Sequence, residues 1–255
     1  MDEGDFSPGT VISVKEISEI RGIREDDGLA IGAATRLCDV ATDPSVRRFA
    51  PSLAQASSLI GSRQIRAIAT IGGNLCNAAP SADTAAPLIA LDAQFVLVSR
   101  QGERIVSAIA FFRGPGETML EPGELLREVR IHKAQGRAGE CYIRHTPRAR
   151  MDLAVASAAV WLTVDDSDQI SASRIALGAV APTPLLADEA AATLVGQPLT
   201  PELLEAVAEA AADAAQPIDD VRASADYRRH LVRTLVKRAV PMAFDAARGL
   251  QGETR

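Results

Sequence analysis

Residues 69–83 read ATIGGNLCNAAPSAD, a stretch with almost no side-chain bulk set between apolar, strand-like residues. A backbone left this bare lets something come close, either another segment of the chain or a ligand. Gly72 and Gly73 can take torsions closed to other residues. Consecutive N–H groups there can form a concavity for an anion, and ahead of a helix N-terminus that anion would be a phosphate or pyrophosphate. Asn74, Asn77 and Ser81 add short hydrogen-bonding arms, and Pro80 stiffens the approach. Asp83 could cap a helix starting at Thr84 or accept from a ribose or ribityl hydroxyl. The plain alternative is a tight turn with Asp83 as an ordinary cap. The spacing is not GxGxxG and no Gly-Lys-Ser/Thr follows, so neither a nicotinamide Rossmann site nor a P-loop hydrolase gains support.

The flanking pattern mixes helix and strand. Residues 10–14, TVISV, predict a short strand, and 16–23 a turn of helix and its exit. Asp26, Asp27 and Gly28 predict a turn before a strand at 29–33. Thr35 is placed as the cap of the helical piece that follows. Asp43 with Pro44 predicts a helix start, and the helix runs in pieces to Ile60 and stops at Gly61. Beyond the bare stretch, 84–91 predicts a helix, 94–98 a strand, 100–103 a hairpin turn, 103–108 its return, 111–118 a loop and 125–131 another strand. Short strands joined by hairpins lack the regular βαβ rhythm of a doubly wound sheet. The polar run at 133–139 marks the main boundary, giving domains at 1–135 and 140–243. In the second, 154–164 reads as helix or strand, 165–169 as a turn and 170–180 as a partner strand. APTP at 181–184 breaks the chain. Helices are predicted near 186–194, 201–215 and 224–240, the middle one started by Thr200 and Pro201.

With 47% hydrophobic residues, 255 residues can bury a sizeable core in one large or two smaller domains. A net charge of −6 and 4% aromatic residues argue against a nucleic-acid partner, since both a basic footprint and stacking platforms are lacking. No apolar run approaches the ~20 residues that span a bilayer. The acidic N-terminus lacks a signal-peptide pattern, which makes a cytoplasmic location the default expectation. Cys38, Cys76 and Cys141 form no CxxC pair, which argues against a cluster or zinc held by this chain alone, and their odd number argues against a disulfide-built domain. Each reads as a small hydrophobe, with Cys76 alone placed to approach a ligand. His132, His145 and His230 have no metal-ligand spacing, and no serine–histidine–acid or cysteine–histidine arrangement is found. Arg228, Arg229, Arg233, Lys237 and Arg238 make one helix basic, read as a solvated or subunit-facing surface.

Several strings in order carry a family resemblance. They are IGSRQIRAIATIGGNLCNAAPSADTAAPLIALDA at 60–93, FFRGPGETMLEPGELLREVRI at 111–131, YIRHTPRARMDLAVASAAV at 142–160, RIALGAVAPTP at 174–184 and ADYRRHLVRTLVKRA at 225–239. Together they cover most of the chain, which resembles the medium, flavin-binding subunit of the molybdenum hydroxylases. That group includes carbon monoxide dehydrogenase, xanthine dehydrogenase and 4-hydroxybenzoyl-CoA reductase. The resemblance implies an α+β fold: an FAD-binding type-2 (PCMH-like) domain, then a small C-terminal domain with an antiparallel sheet and helices. It implies that Thr70, Ile71, Gly72, Gly73 and Asn74 wrap the FAD diphosphate. Ser81 and Asp83 would meet the adenosine or ribityl side, and Leu125 would lie near the flavin ring. Arg148 is left between a structural role and the flavin edge, and Asp152 is expected to be structural.

The same resemblance implies partners and a reaction. A molybdopterin-binding large subunit would oxidise the substrate, a [2Fe–2S] small subunit would relay electrons, and FAD here would pass them to a nicotinamide, a quinone or oxygen. No side chain of this chain need be catalytic, since the redox chemistry is the cofactor's. Two departures stand out. Arg66 is followed by Ala67, where the family often has asparagine. The family also opens with a strand–helix–strand unit carrying a second glycine-rich loop of the type AGGTDL, and the pattern here joins after it. The expectation is a truncated first domain short of roughly 30 to 45 residues, with weaker FAD binding. That departure keeps open a flavin-free assembly or interaction subunit. A flavin enzyme of the vanillyl-alcohol-oxidase type acting alone fits less well, because the Ala-rich C-terminal unit is short.

Overall fold

The computed structural model describes residues 9–148 and 151–250; the acidic opening at 1–8 lies outside the described residues. The first half begins with a 3-10 turn at Ser18–Ile20, followed by β1 (Ile23–Glu25) and β2 (Gly28–Gly32). Six short helices follow: α1 (Leu37–Thr42), α2 (Pro44–Phe49), α3 (Pro51–Leu59), α4 (Arg63–Ile68), α5 (Ile71–Cys76) and α6 (Ala85–Ala90). The chain then forms the hairpin β3 (Gln94–Ser99) and β4 (Gly102–Ser107), the single turn α7 (Ala108–Phe111), the hairpin β5 (Phe112–Gly114) and β6 (Glu117–Thr118), and the long β7 (Leu125–His132). The second half runs β8 (Arg137–His145), β9 (Ala156–Val164), β10 (Ile170–Gly178), β11 (Leu185–Leu186), α8 (Asp188–Leu194), α9 (Pro201–Ala214) and α10 (Ala225–Ala247).

Local chemistry accounts for many of these boundaries. Asp43 starts α2 by accepting from Ser45 N at 2.8 Å and Val46 N at 3.1 Å, with Pro44 as its first residue. Gly61, at φ +49°, ends the run of helices through Ile60. The first half folds around an antiparallel sheet of order β1-β2-β7-β3-β4, and the second around one of order β11-β10-β9-β8. Phe95 and Phe111 meet edge-on at 5.0 Å inside the first core.

The second sheet is covered on both faces, by α8 and α10 on one side, with α9 packed on those two helices, and by α3 and α6 on the other. This is why 154–164 could not be assigned from its pattern. A strand buried on both faces loses the two-residue alternation, and β9 is buried at every position except Trp161.

Four expectations are corrected. Residues 10–14 pair with no strand among the described residues, and Val11 and Ile12 are each 80% exposed. Alternation alone supplies no neighbouring strand for the backbone to bond. Thr35 does not cap α1. Its hydroxyl instead donates to Gly22 O and accepts from Gly22 N, both at 3.0 Å, closing the loop ahead of β1. Asp83 does not cap α6, whose first flanking residue is Thr84. Finally, α10 continues through Pro241 to Ala247. An interior proline costs about 3 kcal/mol. The last turns offset this by packing on Gly139 of β8, where an added Cβ would lie 2.0 Å from Ala243 O.

Arg228 also departs from the surface reading of its helix. It is 5% exposed, and its Nη1 donates to Val155 O at 2.7 Å and Ala179 O at 2.9 Å.

Candidate functional site

The bare stretch is not an open loop but the first turn of α5. The segment leaving β2 fixes it: Ile71 N donates to Thr35 O at 3.0 Å and Gly72 N to Ala33 O at 2.8 Å. Thr70 caps the helix, its Oγ1 accepting from Gly73 N at 3.1 Å, and Asn74 N donates to Thr70 O at 3.0 Å. The N–H groups of residues 71–74 therefore all have partners inside the protein. The concavity of free donors expected from the sequence reduces to one N–H, that of Gly73, held by a rotatable hydroxyl. The two glycines do different work. A Cβ on Gly72 would stand 2.6 Å from Ala33 Cβ and 2.7 Å from Ala33 O, so Gly72 is bare to let α5 press on the strand exit. Gly73 is exposed, and a Cβ there would meet only Thr70 Oγ1, at 3.1 Å.

Gly72 and Gly73 border a groove of about 280 Å³. Thr70 stands on its wall, and Ile20, Cys76, Leu120, Leu125 and Leu126 give it an apolar lining. Two charged groups reach it. Lys15 Nζ donates to Ile68 O at 2.9 Å. Glu124 is gripped by Arg104 at 2.7 Å through both oxygens, which holds its carboxyl down at about 2. Burial pushes the Cys76 thiol up to about 11, so it is protonated at neutral pH and contributes bulk rather than nucleophilicity. The groove thus combines an apolar lining with an ammonium and a hydroxyl at its edge.

The groove brings together Thr70, Gly72, Gly73 and Leu125, residues from two separate sequence strings. The other candidates lie elsewhere. Ile71 is fully buried beneath it. Asn74 Oδ1 accepts from Thr84 Oγ1 at 2.6 Å and ties α5 to α6. Ser81 lines a second cleft of about 230 Å³ with Pro80, Pro115, Arg222 and Arg228. Arg148 is exposed and pairs with Asp152 at 3.1 Å. Asp152 also accepts from Arg148 N at 3.2 Å, a local brace.

Asp83 is 6% exposed, and both its oxygens are engaged by the second half of the chain. Tyr142 Oη donates to Oδ1 at 2.6 Å, and Arg144 Nη1 donates to Oδ2. Burial raises the Asp83 carboxyl despite the guanidinium beside it, and it drives the Tyr142 phenol well above its ordinary value.

Lys15, Tyr142 and Arg144 escaped the sequence reading. The signal for the last two was present as polar residues two apart, at 140, 142 and 144, in a segment given no element from the sequence.

An α+β chain whose glycine-walled apolar groove suits a phosphorylated, flat cofactor belongs to the class of cofactor-carrying proteins. Residues 1–133 match the family described as the FAD binding domain in molybdopterin dehydrogenase, and residues 142–243 match the CO dehydrogenase flavoprotein C-terminal domain. The chain belongs to this family of FAD-binding subunits of molybdenum hydroxylases, and its cofactor is FAD. It is 35% identical over 244 residues to a putative xanthine dehydrogenase FAD-binding subunit of Escherichia coli K12, covering 94% of this chain and 82% of that one. It is 37% identical over 238 residues to the carbon monoxide dehydrogenase medium chain of Hydrogenophaga pseudoflava, covering 93% and 82%. A solved structure of the carbon monoxide dehydrogenase from that organism superposes with a TM-score of 0.86 at 38% identity, over 89% of this chain and 79% of that one. Among the described residues no helix is long and apolar enough to cross a membrane.

Proposed function

We propose that this chain is the electron-transfer subunit of a molybdenum-containing hydroxylase or dehydrogenase. In this reading it works beside a molybdopterin-binding large subunit that oxidises the substrate and a [2Fe–2S] small subunit that delivers electrons. When bound, FAD supplies the redox chemistry between those clusters and an acceptor, a nicotinamide, a quinone or oxygen. The chain's own residues bind and orient. Thr70, through its hydroxyl, and Gly73, through the N–H that this hydroxyl now accepts from, would hold the diphosphate. Lys15 adds positive charge at the same groove. Gly73 leaves room on the wall, and Leu120, Leu125 and Leu126 keep water from the apolar ring system. Ser81, on the second cleft, and Arg148, held at the surface by Asp152, would act outside the groove. Asp83 stands behind the groove, committed to Tyr142 and Arg144.

The observation that carries this reading is the convergence of Thr70, Gly72, Gly73 and Leu125 on one apolar groove. The second reading, a flavin-free assembly subunit, is favoured by one fact: the N–H groups of residues 71–74 are already satisfied internally. Titrating the purified chain with FAD and following flavin fluorescence separates the two. Saturable binding that is lost in Thr70→Val supports the carrier. Absence of binding by the chain, together with retained co-purification with its partner subunits, refutes it in favour of the second.

A further inference from the structure

Strand β8 reaches back into the first half of the chain through alternate residues. Glu140, Tyr142 and Arg144 share one of its faces, while Cys141 and Ile143 pack toward α10. That face lies along α3 and grips both of its ends. At the N-terminus, Glu140 Oε2 accepts from Ser52 N at 3.1 Å and Ser52 Oγ at 2.6 Å. At the C-terminus, Arg144 Nη2 donates to Leu59 O at 2.7 Å. The spacing matches. Four strand residues span about 13 Å, and the seven steps from Ser52 to Leu59 span about 10 Å of helix. The chemistry matches as well, with the Glu140 carboxyl at the free N–H groups of the first turn and the guanidinium at the carbonyls of the negative end. The residue flanking α3 at its start is Ala50, whose side chain offers no cap, so Glu140 supplies from another domain what the local sequence lacks.

A run of contacts leads from this grip toward the groove. Past Leu59 the chain turns at Gly61, and Arg66 Nη1 donates to Ile60 O at 2.9 Å and Gly61 O at 3.2 Å, binding α4 to the end of α3. Two residues after α4 comes Thr70, the cap of α5.

Resting on the proposed function, we propose that Glu140 is a positioning residue for the cofactor groove, acting from the second domain through α3 and α4 on Thr70 and Gly73. It contacts neither the groove nor the ligand. It sets where α3 sits, and with it the turn that leads to α5.

The charges around Glu140 make this grip respond to protons. α3 carries no ionisable residue. The remaining charged or titratable groups lining the cavity beside Glu140 are His132 at the end of β7, Lys133 after it, Asp92 after α6 and Arg174 on β10. Arg174 is paired with Asp92 at 3.0 Å, and among the described residues no cation pairs with Glu140. Burial pushes its carboxyl up to about 7, against the two Ser52 hydrogen bonds, which act to lower it. A carboxyl raised above its unfolded value favours docking while protonated and opposes it once ionised, so the grip weakens as pH rises through about 7. With an undocked value of 4.5 and a docked value of about 7, linkage makes the docking equilibrium about tenfold less favourable at pH 8 than at pH 6.

The test compares the full chain with Glu140→Gln and Glu140→Ala. Gln keeps a carbonyl that accepts both Ser52 bonds and does not titrate. The measurements are amide-exchange protection of 51–76 at pH 6 and pH 8, without flavin, and the dissociation constant for added FAD. In the unchanged chain, protection should fall about tenfold between the two pH values. Glu140→Gln should show no such fall and should bind FAD within twofold of the unchanged chain. Glu140→Ala should lose protection at both pH values and bind FAD at least fivefold more weakly. The same pH response in Glu140→Gln as in the unchanged chain would overturn the proposal, whether or not Glu140→Ala folds. So would FAD binding within twofold in a folded Glu140→Ala. If no variant binds FAD, the unchanged chain included, the proposed function fails, and the exchange data alone decide the placement of Glu140.

Discussion

Adding one methyl group at either glycine of the pair separates packing from binding. In Gly72→Ala the new Cβ would stand 2.6 Å from Ala33 Cβ and 2.7 Å from Ala33 O. Helix α5 must therefore retreat by about 1 Å to reach ordinary carbon contact distance. Overpacking of this kind costs about 1–3 kcal/mol. The retreat also stretches the Gly72 N to Ala33 O bond, now 2.8 Å, which contributes about 1 kcal/mol. Alanine's better helix propensity returns up to about 1 kcal/mol. The net expectation is a loss of about 2 kcal/mol, visible as a lower urea midpoint at unchanged slope. Gly73→Ala differs because its Cβ meets only the Thr70 hydroxyl, at 3.1 Å, and that hydroxyl can rotate. Stability should hold or rise by up to about 1 kcal/mol. The methyl stands on the groove wall, though, and FAD binding should weaken about tenfold, or about 1.4 kcal/mol. Urea unfolding without flavin and FAD titration of each variant give the two readings. If Gly72→Ala unfolds like the unchanged chain, the packing argument is wrong. If Gly73→Ala binds FAD unchanged, the groove is not the cofactor site.

Other perturbations probe the seam and the second half. Tyr142→Phe removes the phenol that donates to Asp83 at 2.6 Å and should cost about 1.5–3 kcal/mol in urea unfolding. Arg144→Met leaves the buried Asp83 carboxylate without its cation and should cost about 3–5 kcal/mol, the largest loss among these variants. Gly139→Ala drives a Cβ to 2.0 Å from Ala243 O, so helical circular dichroism should melt earlier and amide exchange should rise first in the last turns of α10. Cys76, whose thiol stays protonated to about 11, should resist alkylation at pH 8, and added FAD should slow that reaction further.

What the sequence revealed follows from how local each determinant is. Asp43 with Pro44, Gly61, and Thr200 with Pro201 act within a few residues of themselves, and the structure shows them as two caps and a helix stop. The seam is different. Asp83 is bonded to residues 59 and 61 positions away, Glu140 caps a helix 88 positions away, and neither partner leaves a mark near the other. Asp83 therefore read as a helix cap or a ribityl contact, both local roles. Strand β9 reads as either helix or strand for a related reason: whether its alternation survives depends on α6 covering the face that α10 leaves open.

The paired glycines show the same limit at a single site. From the sequence they are equivalent, and a pair of bare positions reads as one anion-binding loop. In the fold, one faces Ala33 and the other faces the groove. Gly72 is small because the protein itself occupies the space, whereas Gly73 is small where the protein leaves the space empty. Gly139 belongs with Gly72, since α10 fills the space beside it. A glycine therefore points to a ligand only where the missing Cβ would meet nothing the chain needs. By that criterion the binding claim rests on Gly73, with Thr70 as the one side chain able to hand it over to a phosphate.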